Sequence, residues 1–148
     1  MELTDTIIDA MAAHLVRDPS RYDVIVATNF YGDILSDLAS ELSGSLGLAG
    51  SINANSETSL VCAQAQHGSA PDIAGQNIAN PTSLILSAAM MLSWIGEQRK
   101  LATLEWAGAE IERAVDNVLA DANSRTRDLG GSINTDEFGR RVAKALAH

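Results

Sequence analysis

Cysteine, aromatic side chains and long apolar runs are all scarce in this chain of 148 residues. The single cysteine, Cys62, excludes an intrachain disulfide and a thiolate zinc cluster, and it fits a reducing compartment. No apolar stretch approaches the roughly 20 residues needed to cross a bilayer. The opening "MELTDTIIDA" carries acids where a secretory signal has a basic region. Positive charge is thin as well: 10 Lys and Arg stand against 19 Asp and Glu, a net charge of −9. That balance argues against nucleic acid or an anionic membrane as partner, because both select basic surface. An acidic chain can still hold an anionic cofactor where backbone amides or a metal supply the positive potential. The absences together predict a soluble, cytoplasmic protein, and a hydrophobic share of 46% suffices for one domain-sized core.

What is present is a sequence of alternating periods. "LTDTIIDAMAAHLV" places Ile8, Met11, Ala12 and Leu15 at helical spacing, with Thr4 as the expected N-cap. "YDVIVAT" follows with an unbroken apolar run, Val24 to Ala27, which suits a strand buried on both faces of a sheet. "GDILSDLASEL" returns to helical spacing through Ile34, Leu35, Leu38 and Leu42. Helix, strand, helix is the order of α/β architecture. Glycines 44, 47 and 50 mark a loop and a boundary near residue 43, without the G-x-G-x-x-G spacing of a dinucleotide fingerprint. Residues 51–80 read as loop with one short strand near Leu60 to Gln64. "PTSLILSAAMMLSWI", with Pro81 in its first turn, predicts a helix buried nearly all round. A long amphipathic helix follows through Leu104, Ala107, Ile111, Val115 and Val118, and a last helix with Thr135 as N-cap.

Two places could carry chemistry. In "FYGDILSD", Asp33 and Asp37 stand four residues apart, so a helix stacks their carboxylates one turn apart on one face. Like charges at that spacing repel, and either water screens them on an exposed face or a hard divalent cation sits between them. Asp9, beside the apolar stripe of the first helix, is a boundary residue or a third acid aimed at the same point. The second place is "QHGSAPDIAGQNIANP", whose small residues and proline form turns ahead of a helix start at Pro81. Such a loop can offer backbone amides to an adenosine or phosphate, and Asp72 can accept from a ribose 2′-hydroxyl while repelling a 2′-phosphate. Equally, Asp72 and Asn80 can shape turns or cap a helix, and His67 can be a hydrogen-bonded structural histidine.

"NFYGDILSDLAS", then "GSLGL", then "HGSAPDIAGQNIANPTSLILSAAMML" resembles the metal-dependent β-decarboxylating dehydrogenases, the isocitrate/isopropylmalate dehydrogenase family, from about Ile8 to the C-terminus. The resemblance implies an α/β fold with a parallel or mixed sheet and flanking helices, truncated at its N-terminus. Residues 1–43 would belong to the central, dimer-forming domain and 44–148 to the C-terminal part of the NAD-binding domain. It implies that Asp33 and Asp37 ligate Mg²⁺ or Mn²⁺, with Asp9 reaching the same ion across a homodimer interface. His67, Gly68, Ser69, Ala70 and Asp72 match the loop around the adenosine of the cofactor, and Asn80 matches an adenine contact. Asp72 stands where NADP-using relatives often carry lysine, which points to NAD. The implied reaction oxidises a 2-hydroxy acid at C2 and releases CO₂ from its β-carboxylate, with a 3-isopropylmalate-like substrate, as in leucine biosynthesis. A non-catalytic subunit or remnant that binds metal or nucleotide without turnover is the alternative.

Several family features are absent. The arginines that bind substrate, and the catalytic lysine and tyrosine, would lie upstream of this segment. The two lysines, Lys100 and Lys144, lie far along the chain from the acid pair, and Tyr22 and Tyr31 match no catalytic tyrosine. Gln64 stands where the family usually has glutamate. The chain is therefore expected to be a fragment or split product that needs a missing N-terminal half, folds poorly alone, and has proton-transfer residues that its own sequence does not name.

Overall fold

The computed structural model describes residues 3–147, which fall into two compact units divided between Gly44 and Ser45. The first unit is a helical pair. Helix α1 (Ile8–Arg17) buries Met11 and Leu15, and helix α2 (Asn29–Ser43) buries Leu35 against them, with Ile8, Ala12, Tyr22 and Leu38 at the edge. The Tyr22 ring stacks on His14, and its hydroxyl lies 2.9 Å from His14 Nδ1, which ties the chain after α1 back onto the helix. Helix α1 starts later than Thr4: Ile7 occupies the N-cap position with no side-chain cap, and the amide of Met11 bonds the Ile7 carbonyl at 2.9 Å. Thr4 is an exposed residue of the lead-in.

The strand expected at Val24 to Ala27 does not form. Those residues are irregular, with Val24 80% and Val26 91% exposed. An apolar run of this kind becomes a strand only when neighbours pair its backbone and cover both faces. No such neighbour is present among the described residues, whose only sheet is the two-stranded β1-β2.

The second unit is built on that hairpin and three helices. Strands β1 (Gly50–Asn55) and β2 (Leu60–Ala65) pair antiparallel, Ser51 opposite Gln64 and Ile52 opposite Ala63. The sheet among the described residues is this antiparallel hairpin, and the stretch read as loop with one short strand near Leu60 to Gln64 holds that strand, β2, and a second one, β1. The sequence "GSINAN" concealed β1 because it has a single β-branched residue. The turn is set by Asn55, whose Oδ1 accepts the amides of Glu57 and Thr58 at 2.9 and 3.0 Å, and by Ser59 in the left-handed region. Ahead of β1 the glycine-rich segment is a short 3₁₀ turn, Leu46–Leu48.

Helix α3 (Thr82–Arg99) lies on the hairpin, and its docking is polar where an apolar helix was expected. Ser83 and Ser87, one turn apart and fully buried, carry it. The Ser87 hydroxyl accepts the Ser51 amide at 2.9 Å and donates to the Gln64 carbonyl at 2.7 Å, touching both strands. The Ser83 hydroxyl donates to the Ala49 carbonyl and accepts the Gln66 amide. The large side chain Leu84 points outward. Helix α4 (Ala102–Ala120) packs closely along α3, because Gly108 leaves room for Ser93 and the Ala89 carbonyl. Helix α5 (Thr135–Leu146) closes the core: Phe138 and Val142 meet Ala114, Val115 and Val118, with Ile85, Leu86 and Leu119 beside them. Full burial of Phe138 alone contributes about 1.5–3 kcal/mol. Its N-cap is Asn134, whose Oδ1 accepts the Glu137 amide at 2.8 Å, and Thr135 is its first helical residue. No helix among the described residues is long and apolar enough to cross a membrane.

Candidate functional site

Helix α2 presents the acid pair. Two positions along a helix turn it by about 200°, so Asp33 and Asp37 lie opposite the buried Leu35 and face outward. They share their stripe with Phe30, Ile34 and Glu41, spaced by three and four residues. Phe30 is 69% and Ile34 46% exposed, so the carboxylates sit among uncovered apolar side chains. Backbone carbonyls of the helix are engaged locally, Asp33 O accepting the Ser36 hydroxyl at 3.1 Å. Two hard oxygen donors one turn apart suit a divalent cation.

Asp9 lies in the first turn of α1, exposed, with Oδ1 accepting the Ala10 amide at 2.7 Å. It too is about 200° around its helix from the core residue Met11. Within one chain the three aspartates are not brought together, and no group of three or more His, Cys, Asp or Glu side chains able to hold a metal exists among the described residues.

The loop 66–80 is shaped by left-handed residues and short turns. Ala70, Gly75 and Asn77 take positive φ, and a 3₁₀ turn runs Pro71–Ile73. His67 is half-buried, with Nδ1 2.9 Å from the Gly68 carbonyl, while Gly68, Ser69, Ala70 and Asp72 are exposed. The Asp72 carbonyl accepts the Gln76 side chain at 2.8 Å, which leaves the turn to hold the backbone and the carboxylate to face outward. The end of the loop is fastened to α5: the Thr135 amide bonds the Asn77 carbonyl, the Asp136 amide bonds Asn77 Oδ1, and the Thr135 hydroxyl bonds the Ala79 carbonyl.

Asn80 is buried, and its amide is committed to the fold on both sides. Oδ1 accepts the Thr82 amide at 3.0 Å, capping the start of α3 in place of Pro81, and Nδ2 donates to Asp128 Oδ2 at 2.9 Å. The sequence held no sign of Asp128, because its partners Asn80 and Ser45 are 48 and 83 residues away. Its carboxylate also accepts the hydroxyls of Ser45 and Thr126, each at 2.5 Å. Burial pushes the Asp128 carboxyl up, but these hydrogen bonds and its own amide outweigh that and hold it below the ordinary aspartate value. The loop end is fixed, while Asp72 and the small residues from Gly68 to Ala70 are exposed.

A family model described as isocitrate/isopropylmalate dehydrogenase matches residues 1–142. The isocitrate/homoisocitrate dehydrogenase of Thermus thermophilus is 50% identical over 146 residues, 99% of this chain and 41% of that protein. The 3-isopropylmalate dehydrogenase of Saccharolobus solfataricus is 50% identical over 139 residues, 94% of this chain and 41% of that protein. Among solved structures, isocitrate dehydrogenase from Methylococcus capsulatus superposes with a TM-score of 0.89 at 42% identity, covering 100% of this chain and 42% of that one. The chain spans about two-fifths of the length of the curated relatives it matches. With that match running through the α2 acids and the 66–80 loop alike, the chain belongs to the isocitrate/isopropylmalate dehydrogenase family.

Proposed function

We propose that the chain is the metal- and NAD-binding C-terminal part of a β-decarboxylating dehydrogenase acting on a 2-hydroxy acid of the 3-isopropylmalate type. Residues up to about 43 serve the metal and the dimer contact, and residues 44–148 serve the cofactor. Asp33 and Asp37 of one copy hold Mg²⁺ or Mn²⁺, and Asp9 of a second copy completes the set. The observation that carries this is the stripe on α2, where two outward carboxylates one turn apart sit among the exposed Phe30 and Ile34. Such a stripe is suited to a site closed by another copy, which covers the apolar side chains and supplies further oxygens. When bound, the cation supplies Lewis acidity at the substrate oxygens and NAD accepts the hydride. The chain's own part is positioning: Asp33 and Asp37 orient the ion, and Asp72 accepts from the ribose 2′-hydroxyl and disfavours NADP. Soluble, cytoplasmic residence is part of the proposal.

Calorimetric titration of Mn²⁺ into the dimeric chain tests it. Uptake is expected, weakened at least about tenfold by Asp33→Ala or Asp37→Ala. Mixing Asp9→Ala chains with Asp33→Ala chains should restore part of the uptake, because a mixed dimer keeps one intact site. No uptake by the unsubstituted dimer overturns the proposal.

One observation favours a second reading, a subunit that binds without turnover. Gln64 is held in β2 with its carbonyl on Ser87, and Lys100 and Lys144 belong to the unit that lacks the acid pair. Metal and NAD binding with no NAD reduction, even with the upstream part of a relative supplied in trans, would decide for it.

A further inference from the structure

Asp128, which lies outside the cofactor loop, joins that loop to two other stretches of the second unit. Its two oxygens receive three side-chain donors from three separate stretches: Ser45 before β1, Asn80 at the end of the loop, and Thr126 beside it. Ser45 also accepts the Gly47 amide at 3.0 Å, and Gly47 is pressed so closely on Asn80 that a Cβ there would lie 2.7 Å from the Asn80 Cβ. The orientation of the Asn80 amide has no alternative. Its oxygen must face the Thr82 N–H, so its NH₂ must face Asp128, and only an acceptor can meet it there.

We infer that Asp128 is a positioning residue for nucleotide binding: it latches Asn80 and Ser45, and so fixes the end of the 66–80 loop against the start of α3. This rests on the cofactor reading of that loop, while the latch itself rests on the hydrogen bonds alone. An acceptor oxygen is required where Oδ2 lies, because Asn80 Nδ2 and the Ser45 hydroxyl both donate to it. Asp128→Ala removes that acceptor; the hydroxyls can reorient, but the Asn80 NH₂ cannot without turning its own donor on Thr82. Asp128→Asn keeps an oxygen there and leaves its NH₂ to the Thr126 hydroxyl, which can accept.

Amide hydrogen exchange and NAD titration on the full chain test the two levels separately. In Asp128→Ala the Thr82 amide and its neighbours should exchange about tenfold or more faster, while amides of α4 and α5 keep their protection. Asp128→Asn, which keeps an acceptor oxygen for Asn80 and Ser45, should recover most of that protection, and NAD affinity should follow the same order. Unchanged exchange at Thr82 overturns the latch. Faster exchange with NAD affinity unchanged overturns its role in binding. Faster exchange in a chain that binds no NAD, even unsubstituted, instead removes the cofactor reading and the positioning role with it. Should Asp128→Ala lose α4 and α5 protection as well, Ser45→Ala removes a single donor, and its Thr82 exchange then decides: a local rise supports the latch, and none overturns it.

Discussion

Asp128 and Asp33 carry the same carboxyl group into opposite surroundings. Three donors converge on Asp128, and it is held below the ordinary aspartate value despite the burial that opposes them. A carboxyl depressed in the folded state stabilises the fold fully above its unfolded value of about 3.9, and that contribution is lost as pH falls below it. Thermal melting should therefore be nearly level from pH 7 down to about 5 and drop on further acidification. Asp121, lowered first by the Asn123 amide, and Glu137, lowered first by Arg141, lose stabilisation in the same direction. The acid drop should be visibly shallower in Asp128→Ala than in the parent chain, and equal slopes would remove Asp128 from this account. At Asp72 the prediction concerns choice of cofactor. Asp72→Lys should raise affinity for NADP relative to NAD, read from paired titrations, because it exchanges repulsion of the 2′-phosphate for attraction.

Helix α3 shows how an element can be recognised in sequence while its contacts are not. Its length and approximate limits follow from "TSLILSAAMMLSWI", yet its burial is carried by Ser83, Ser87, Ala89 and Gly96 more than by leucines. Small residues allow the hairpin and α4 to approach, and hydroxyls then meet strand backbone that would otherwise lack partners. Ser87→Ala should cost about 1–3 kcal/mol, since it leaves the Ser51 amide and the Gln64 carbonyl without that partner. Gly108→Ala acts on the other face. Its Cβ would lie 2.1 Å from Ser93 Oγ, which can rotate, and 2.7 Å from the Ala89 carbonyl, which cannot move without α3. An overpacking cost of about 1–3 kcal/mol is expected, seen as a lower melting temperature. Both effects were hidden because they depend on the distance between two elements. The amphipathic helices were legible for the contrary reason: Val115 and Val118 share a face through local geometry alone.

For the molecule as a whole, the informative segment is Val24 to Ala27. Among the described residues, none from Asp23 to Ala27 takes part in a backbone hydrogen bond, and Val24 and Val26 are almost fully open. The relatives matched are more than twice as long as this chain, so in them further polypeptide is available to pair with such a stretch. Amides of residues 23–27 should exchange rapidly in this chain and become protected when the upstream part of a relative is added. Continued rapid exchange in a complex that reduces NAD would show that the segment needs no strand partner. The second unit holds its own core around Phe138, and residues 45–148 alone should melt cooperatively.

The sequence by itself determined the helices, the stacking of Asp33 and Asp37 one turn apart on one face, the turn-forming character of the 66–80 loop, and the family. Each of these follows from residues within a turn or two of one another, or from motifs in their given order. Only the tertiary structure decided that Val24 to Ala27 lies unpaired, that "GSINAN" forms a strand, and that Asn80 answers to Asp128. Those outcomes depend on groups brought together across the hairpin, up to 15 positions apart, and on partners 48 and 83 positions apart, whose approach is set by chain closure and packing and leaves no local periodicity to read.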